Sequence, residues 1–567
     1  MPARRDRGSR GARTGETMPP LLGLMQDMPL TVDRFLDHAA TWHPRREIVS
    51  RDAAGEVSRT DYAGLYRTAK QVSAALASLG IAPGDRVATL GWNGFRHLAA
   101  WYGATNMGAV LHTLNPRLFP DQIRYIADHA GDRLLFADPE CAALAQRLLR
   151  EVPSLERIVY LCGADALPEP GALAFDELVA AQPVDHPWGG FDERAACGLC
   201  YTSGTTGLPK GVLYSHRSNW LHTMMALQHD AMGLSARDTL LLVVPMYHAN
   251  SWGVVYSAPA VGAKLVLPGQ RMDGTSLYEL IEQEQVTFSA AVPTVWQGLL
   301  QHLRGTGRGF TALERVIIGG AAPPEALIRA FQDDYGVEVV QGWGMTETSP
   351  LATLSSPTAE VLAQPYDEQV RRKAMQGRPV CGLELRLVDD AGAVLPHDGA
   401  TAGRLLIRGP TIARAYYGEA GEAVDPEGWF DTGDVAVIDQ AGYMRITDRA
   451  KDIVKSGGEW ISSIEIENLA TAHPSVAIAA VIGVAHPVWG ERPLLLVQPA
   501  PGASCAREEL LAFLDGKIAR WWMPDDVLVV ESIPLGATGK IDKKLLRERL
   551  RDYRLPDEGE GEAAPAA

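Results

Sequence analysis

Helix-like amphipathic stretches and short apolar stretches alternate along most of this 567-residue chain, and that alternation constrains the fold more than any other feature. Residues 65–79 carry apolar side chains at helical spacing and end at Gly80, and 86–90 then reads as a short buried strand. The same order recurs with 97–102 before 110–114, 142–149 before 158–161, 277–284 before 287–291, and 324–335 before 337–341. Strands separated by helices favour α/β layers over an all-helical or all-strand fold. The length exceeds what one core supports, so several domains or subdomains are expected. A hydrophobic content of 46% agrees with a folded interior, and no apolar run reaches the length of a membrane span.

The pattern changes near Leu405. Residues 405–407, 436–438 and 443–446 read as successive strands, with Gly403, Gly433 and Gly442 near their ends. Beyond a polar joint at 448–451 come a helix-like 464–472, strand-like 476–484 and 494–497, and a helix-like 508–521. The expectation is a large N-terminal domain over 18–448 and a smaller α/β domain over 449–555, with the joint permitting domain motion. Residues 1–17 contain five arginines and three glycines but almost no large apolar residue. They read as an unstructured arm or as an extension upstream of a start at Met18, and they lack the apolar stretch of a secretory signal. The acidic, Ala/Gly-rich 556–567 reads as unstructured.

Within this frame, the run YTSGTTGLPKG over 201–211 has the composition of a phosphate cradle. Gly204, Gly207 and Gly211 let the backbone approach an anion. Thr202, Ser203, Thr205 and Thr206 supply neutral donors, and Lys210 one cation. A standard NTPase loop has Lys and Ser/Thr directly after its last glycine, whereas Leu208 and Pro209 intervene here, so this is no P-loop. A flexible surface turn is the bland reading of such a run. The residue richness argues against it.

A second constellation is GWGMTET over 342–348. Gly342 and Gly344 permit close ligand approach, Trp343 offers a stacking face, Thr346 can donate to phosphate, and Glu347 is a hard carboxylate suited to magnesium. The bend at Gly319, Gly320 and Ala321 can bring backbone groups against a base or an acyl group. The formal charge of −16 and a pI near 5.4 argue against a general nucleic-acid-binding surface, though not against a local basic pocket for ATP or coenzyme A. Cys197 and Cys200 have metal-like spacing, but no second pair or nearby histidine follows, so a structural zinc site is not expected. The scattered cysteines fit a reducing cytoplasm.

Together these motifs resemble the adenylate-forming superfamily, and within it the acyl-CoA ligases. Further signatures are GWFDTGD over 428–434, Asp448-Arg449 followed by Lys451, and Gly539-Lys540. Their combination and order are specific where any one glycine motif is not, and the likeness spans about 30–554. The resemblance implies a large N-terminal domain of packed sheets, a mobile C-terminal domain, and two half-reactions. Carboxylate and MgATP give acyl-AMP and pyrophosphate, and the coenzyme A thiol then displaces AMP. It assigns Asp434 to the ribose hydroxyls, Arg449 to ribose or phosphate, and Lys451 to the hinge. It makes Lys540 the mobile ammonium that stabilises charge moving onto pyrophosphate. Without the resemblance, Asp434 reads as a turn residue and Arg449 as a salt-bridge partner. Composition alone does not choose between Lys540, Lys543 and Lys544.

The segment MYHANSWG over 246–253 looks like the acyl-site motif of bacterial medium- and long-chain fatty-acyl ligases. His248 is expected at the carboxylate and Trp252 at the mouth of an apolar tunnel, with Gly320, Gly344 and Met345 alongside. Trp460, in SGGEWISS over 456–463, is expected to cover the nucleotide or move with the C-terminal domain. Taken singly, His248 and Trp252 read as core residues. The leading acid is a medium- or long-chain fatty acid. The alternative is a short thioether such as 3-(methylthio)propionate, or an aryl acid. A nucleotide- or acyl-binding protein without ligase activity is disfavoured by the joint presence of Lys210, Glu347, Arg449 and Lys540. A cytoplasmic, homodimeric enzyme without a transmembrane anchor completes the expectation.

Overall fold

The computed structural model describes residues 23–202, 208–449, 451–457, 459–536 and 541–556, without the side chains of Glu459 and Trp460. The arm expected at 1–17 and the tail from 557 onward lie outside the described residues.

Two large sheets organise the N-terminal domain. In the seven-stranded sheet, Arg86–Leu90, Val110–Leu114, Asp132–Ala137, Arg157–Tyr160 and Ala196–Tyr201 run parallel, and Gly211–Ser215 turns back antiparallel at one edge. The nine-stranded sheet has a parallel centre made of Lys264–Leu267, Thr239–Leu241, Phe288–Ala291, Arg315–Gly319 and Glu338–Gly344. Such strands are buried on both faces, which is why they read as apolar runs rather than alternating ones.

The helices Tyr62–Ser78 and Phe95–Asn106 contribute to the largest core cluster, which joins the two sheets through Leu65, Val72, Leu98, Trp101 and Tyr102. Asp61 starts the first helix by accepting a hydrogen bond from the Gly64 N–H at 2.7 Å. A Cβ on Gly103 would come 2.4 Å from Val72 Cγ1, so glycine is what lets these helices cross so closely.

A four-stranded antiparallel sheet, Glu384–Val388, Gly403–Arg408, Phe430–Ile438 and Met444–Arg449, follows. Beyond it a separate sheet is built from Val454–Ser456, Glu459–Ile461, Val476–His486 and Gly490–Pro499, with Asp526–Val529 alongside the last. The protein is thus mixed α/β, a large N-terminal domain followed by a small C-terminal one.

One expected helix is cut short, and another keeps its length but changes its winding. The 508–521 stretch is helical only over Arg507–Leu514, because Asp515 is extended and Gly516 adopts φ +69°; a separate 3-10 turn follows at Arg520–Trp522. The 324–335 stretch begins as the α-helix Glu325–Arg329 and widens to a π-turn over Ala330–Asp334.

Candidate active site

Parallel strands leave their carboxyl ends as the natural place for a ligand. Arg315–Gly319 and Glu338–Gly344 are neighbours, with Gly319 in register with Gly342. A cleft of about 820 Å³ opens where they end; Thr202 reaches it from the end of Ala196–Tyr201, and His248 from the loop that follows Thr239–Leu241. Close backbone approach explains the glycines: a Cβ on Gly344 would sit 1.8 Å from the Pro350 carbonyl oxygen.

At the anionic end, Thr202 and Lys210 close the neck of the loop. The Thr202 N–H donates to the Lys210 carbonyl at 2.9 Å, and the Lys210 N–H donates to Thr202 Oγ1 at 3.1 Å. The Lys210 ammonium lies 4.5 Å from the Tyr416 ring centroid and 3.4 Å from Glu419. Ser203, Gly204, Thr205, Thr206 and Gly207 lie outside the described residues.

Across the cleft, Glu347 is only 6% exposed, and its Oε1 accepts from the Tyr416 hydroxyl at 2.8 Å. Burial pushes its carboxyl pKa up, and the Tyr416 hydrogen bond works in the opposite direction. A buried oxygen donor with one lone pair already fixed, beside the half-buried Thr346, suits a magnesium ion shared with phosphates. The Thr346 carbonyl accepts from the Tyr214 hydroxyl at 2.7 Å, which ties this turn to the strand Gly211–Ser215.

Asp434, 3% exposed, accepts from Trp343 Nε1 at 3.1 Å and pairs with Arg449 Nε at 3.2 Å. Trp343, Arg449, Lys451, Gly320 and Met345 line the cleft; Ala321 is exposed beside Gly320. Lys540 lies outside the described residues, as does the side chain of Trp460.

At the apolar end, 249–253 forms a left-handed turn, with φ 43° at Ala249, 55° at Asn250, 52° at Ser251, 54° at Trp252 and 77° at Gly253. Four of these are not glycine, a strained arrangement that persists only when neighbours enforce it. Ser251 Oγ donates to the Val244 carbonyl at 2.7 Å, and Asn250 Nδ2 donates to Asn219 Oδ1 at 3.2 Å. Trp252 is thereby laid over Gly319, where a Cβ would meet its Cη2 at 2.7 Å. His222 braces the other side: its Nε2 accepts from the Leu351 N–H at 3.0 Å, so the ring is neutral, and burial lowers its pKa to about 4.

Cys197 and Cys200 are buried within the strand Ala196–Tyr201, where burial raises both thiol pKa values and keeps them protonated. Sequence reasoning missed Tyr416, Glu419, Tyr125 and Ile317, all of which line the cleft. Nothing in the run RAYYG over 414–418 distinguishes Tyr416 from a core tyrosine; only folding brings it to Glu347.

The chain matches the AMP-binding enzyme family over residues 36–417 and the AMP-binding enzyme C-terminal domain over 465–540. It is 47% identical to the 3-methylmercaptopropionyl-CoA ligase of Ruegeria lacuscaerulensis over 94% of this chain and 99% of the relative. It is 45% identical to the long-chain-fatty-acid–CoA ligase of Thermus thermophilus over 95% and 99%. The crystal structure of the anthranilate CoA ligase AuaEII in complex with anthranoyl-AMP superposes with a TM-score of 0.83 at 25% identity, covering 92% of this chain and 98% of that one. With the family matched across both domains, the chain belongs to the AMP-binding enzymes and is an AMP-forming carboxylic acid–CoA ligase.

Proposed function

We propose that the acid this ligase activates is a medium- or long-chain fatty acid. The observation that carries the reading is the apolar end of the cleft, where Trp252 lies over Gly319 while Ile317 and Leu351 pack against Gly342. Each buried methylene of an acyl chain there contributes roughly 0.8 kcal/mol, enough for modest pocket changes to redirect preference.

In the first half-reaction a carboxylate oxygen attacks the α-phosphorus of ATP and pyrophosphate leaves. Lys210 and the 202–207 loop hold phosphate, Thr346 donates to it, and His248 orients the acid. Trp343 and Gly320 flank the base, Asp434 and Arg449 take the ribose, and Glu347 would hold magnesium. Bound there, magnesium would supply neutralisation of phosphate charge. Lys540 stabilises the charge that moves onto pyrophosphate. In the second half-reaction the coenzyme A sulfur bonds to the acyl carbon, AMP departs, and the thiol proton passes to solvent. We place the domain boundary at 448/449, with Lys451 as the hinge and Trp460 moving with the smaller domain between the two steps. The proposed form is a cytoplasmic homodimer, which sedimentation at working concentration checks.

A second reading, 3-(methylthio)propionate as the acid, is favoured by the name of the Ruegeria relative. Carboxylate-dependent ATP–pyrophosphate exchange across a panel from C4 to C18 fatty acids, with 3-(methylthio)propionate and benzoate included, decides between them. A kcat/KM maximum at medium or long chain supports the fatty-acid reading, and a maximum at the thioether overturns it. Following thioester formation in parallel tests whether coenzyme A is the acceptor.

A further inference from the structure

The segment between the strands Gly403–Arg408 and Phe430–Ile438 does more than connect them. Ser349 Oγ donates to the Thr411 carbonyl at 2.7 Å, and the Ala413 N–H donates to the Glu347 carbonyl at 2.8 Å. Further along, the Tyr417 N–H donates to the Gly211 carbonyl at 2.8 Å. Its first contacts hold the turn that carries Glu347, and its last holds the residue that ends the phosphate loop. These two sites belong to different sheets, so this strap bridges the halves of the nucleotide cleft.

Tyr416 is the side chain of the strap that touches both halves. Its hydroxyl bonds Glu347 Oε1 at 2.8 Å, and the Lys210 ammonium stands 4.5 Å from its ring centroid. A phenol is protonated at neutral pH, so toward a carboxylate it can only donate. That bond fixes the carboxylate's orientation and leaves its other oxygen for a cation, as outer partners of metal ligands do. The ring face attracts the ammonium through its quadrupole and limits where Lys210 can swing.

We propose that Tyr416 is a positioning residue with two separable functions: its hydroxyl orients Glu347 for the divalent cation, and its ring presets Lys210 for the triphosphate. The proposal rests on the reading of Glu347 as the magnesium carboxylate.

The test uses the full-length enzyme and does not depend on turnover. Free Mn²⁺ is followed by electron paramagnetic resonance with the non-hydrolysable analogue α,β-methylene-ATP present. Affinity for that analogue in EDTA is measured by calorimetry. Tyr416→Phe, which keeps the ring, should weaken Mn²⁺ uptake about tenfold and leave metal-free nucleotide affinity unchanged. Tyr416→Leu should weaken Mn²⁺ uptake equally and also reduce metal-free affinity about threefold. Tyr417→Phe, with its backbone bond to Gly211 intact, is the control for general loosening and should leave Mn²⁺ uptake unchanged.

If Glu347→Gln loses Mn²⁺ while Tyr416→Phe binds it like the wild type, the positioning role is overturned and the metal reading stands. If Glu347→Gln binds Mn²⁺ like the wild type, the metal reading fails and takes the proposal with it. If Tyr417→Phe loses Mn²⁺ as much as Tyr416→Phe, with parallel falls in thermal stability, Tyr416 is merely structural. If Tyr416→Leu keeps metal-free affinity, the ring has no part in setting Lys210.

Discussion

Asp434 and Arg449 are direct partners in the antiparallel ladder of Phe430–Ile438 and Met444–Arg449, and their side chains meet at 3.2 Å. The pairing places the proposed ribose carboxylate opposite Arg449, within the joint at 448–451. Asp434 is fixed twice over, because Trp343 Nε1 bonds its other oxygen at 3.1 Å. A cation and an indole from two different sheets thus set one carboxylate.

Asp434→Asn keeps the size and an acceptor for Trp343 but removes the charge. It should raise the KM for ATP by about tenfold, the scale of a lost charge-assisted hydrogen bond, with little change in thermal unfolding. An unchanged KM beside a clear fall in thermal stability would make Asp434 a structural turn residue.

Lys540→Ala should lower the complete reaction by about a hundredfold or more, since the ammonium acts where charge develops in adenylation. Supplying preformed acyl-AMP and coenzyme A bypasses that step, and thioester formation should then stay within about threefold of the wild type if charge stabilisation is its role. Equal losses in both assays would contradict the assignment.

Both ends of the candidate site were legible in part, since His248, Trp252 and Met345 line the cleft as the polar runs do. Thr202, Lys210, Gly342, Trp343, Thr346 and Arg449 stand in short runs whose chemistry is local, and all of them line the cleft. The α/β alternation was legible for the same reason, since 86–90 and 110–114 are apolar runs that match strands residue for residue. Tyr416 was not legible, because its meaning depends on Glu347, sixty-nine positions earlier in the chain. Nor was the left-handed turn at 249–253, for Ala249, Ser251 and Trp252 have no intrinsic preference for positive φ. The bonds that accompany it, donated by Asn250 and Ser251 to Asn219 and Val244, reach partners outside the turn. The 508–521 helix was overextended because its apolar spacing continues past Asp515-Gly516.

His222 gives a pH prediction whose sign follows from its burial. An unfolded histidine titrates near 6.5, whereas His222 in the fold titrates near 4. Between those values the unfolded chain takes up the extra proton. The stability that a neutral His222 provides is therefore lost as pH falls from 6.5 to 4, by at most about 3 kcal/mol. His222→Gln retains an acceptor for the Leu351 N–H but cannot titrate. Its urea midpoint should fall less than that of the wild type between pH 7 and pH 4.5. Buried His97 and His216, also lowered to about 4, keep some slope in the variant. Identical slopes in the two proteins would remove His222 from the titration.

Trp252 and Gly319 give the sharpest test of the acyl pocket. An alanine methyl at 319 would sit 2.7 Å from Trp252 Cη2 and 3.1 Å from the Gly342 carbonyl oxygen, so the indole has to move. Gly319→Ala should lower kcat/KM for long acids by about tenfold and shift the chain-length profile, with ATP KM little changed. Trp252→Ala should also change the profile, because it removes the large apolar surface at that wall. If the two residues meet as described, Gly319→Ala should harm a Trp252→Ala background much less, with a coupling of about 1 kcal/mol or more in the double-mutant cycle. Thermal unfolding of all three variants separates pocket effects from a damaged fold. Additive losses across the cycle in stable proteins would show that the indole does not rest on Gly319 when acid binds.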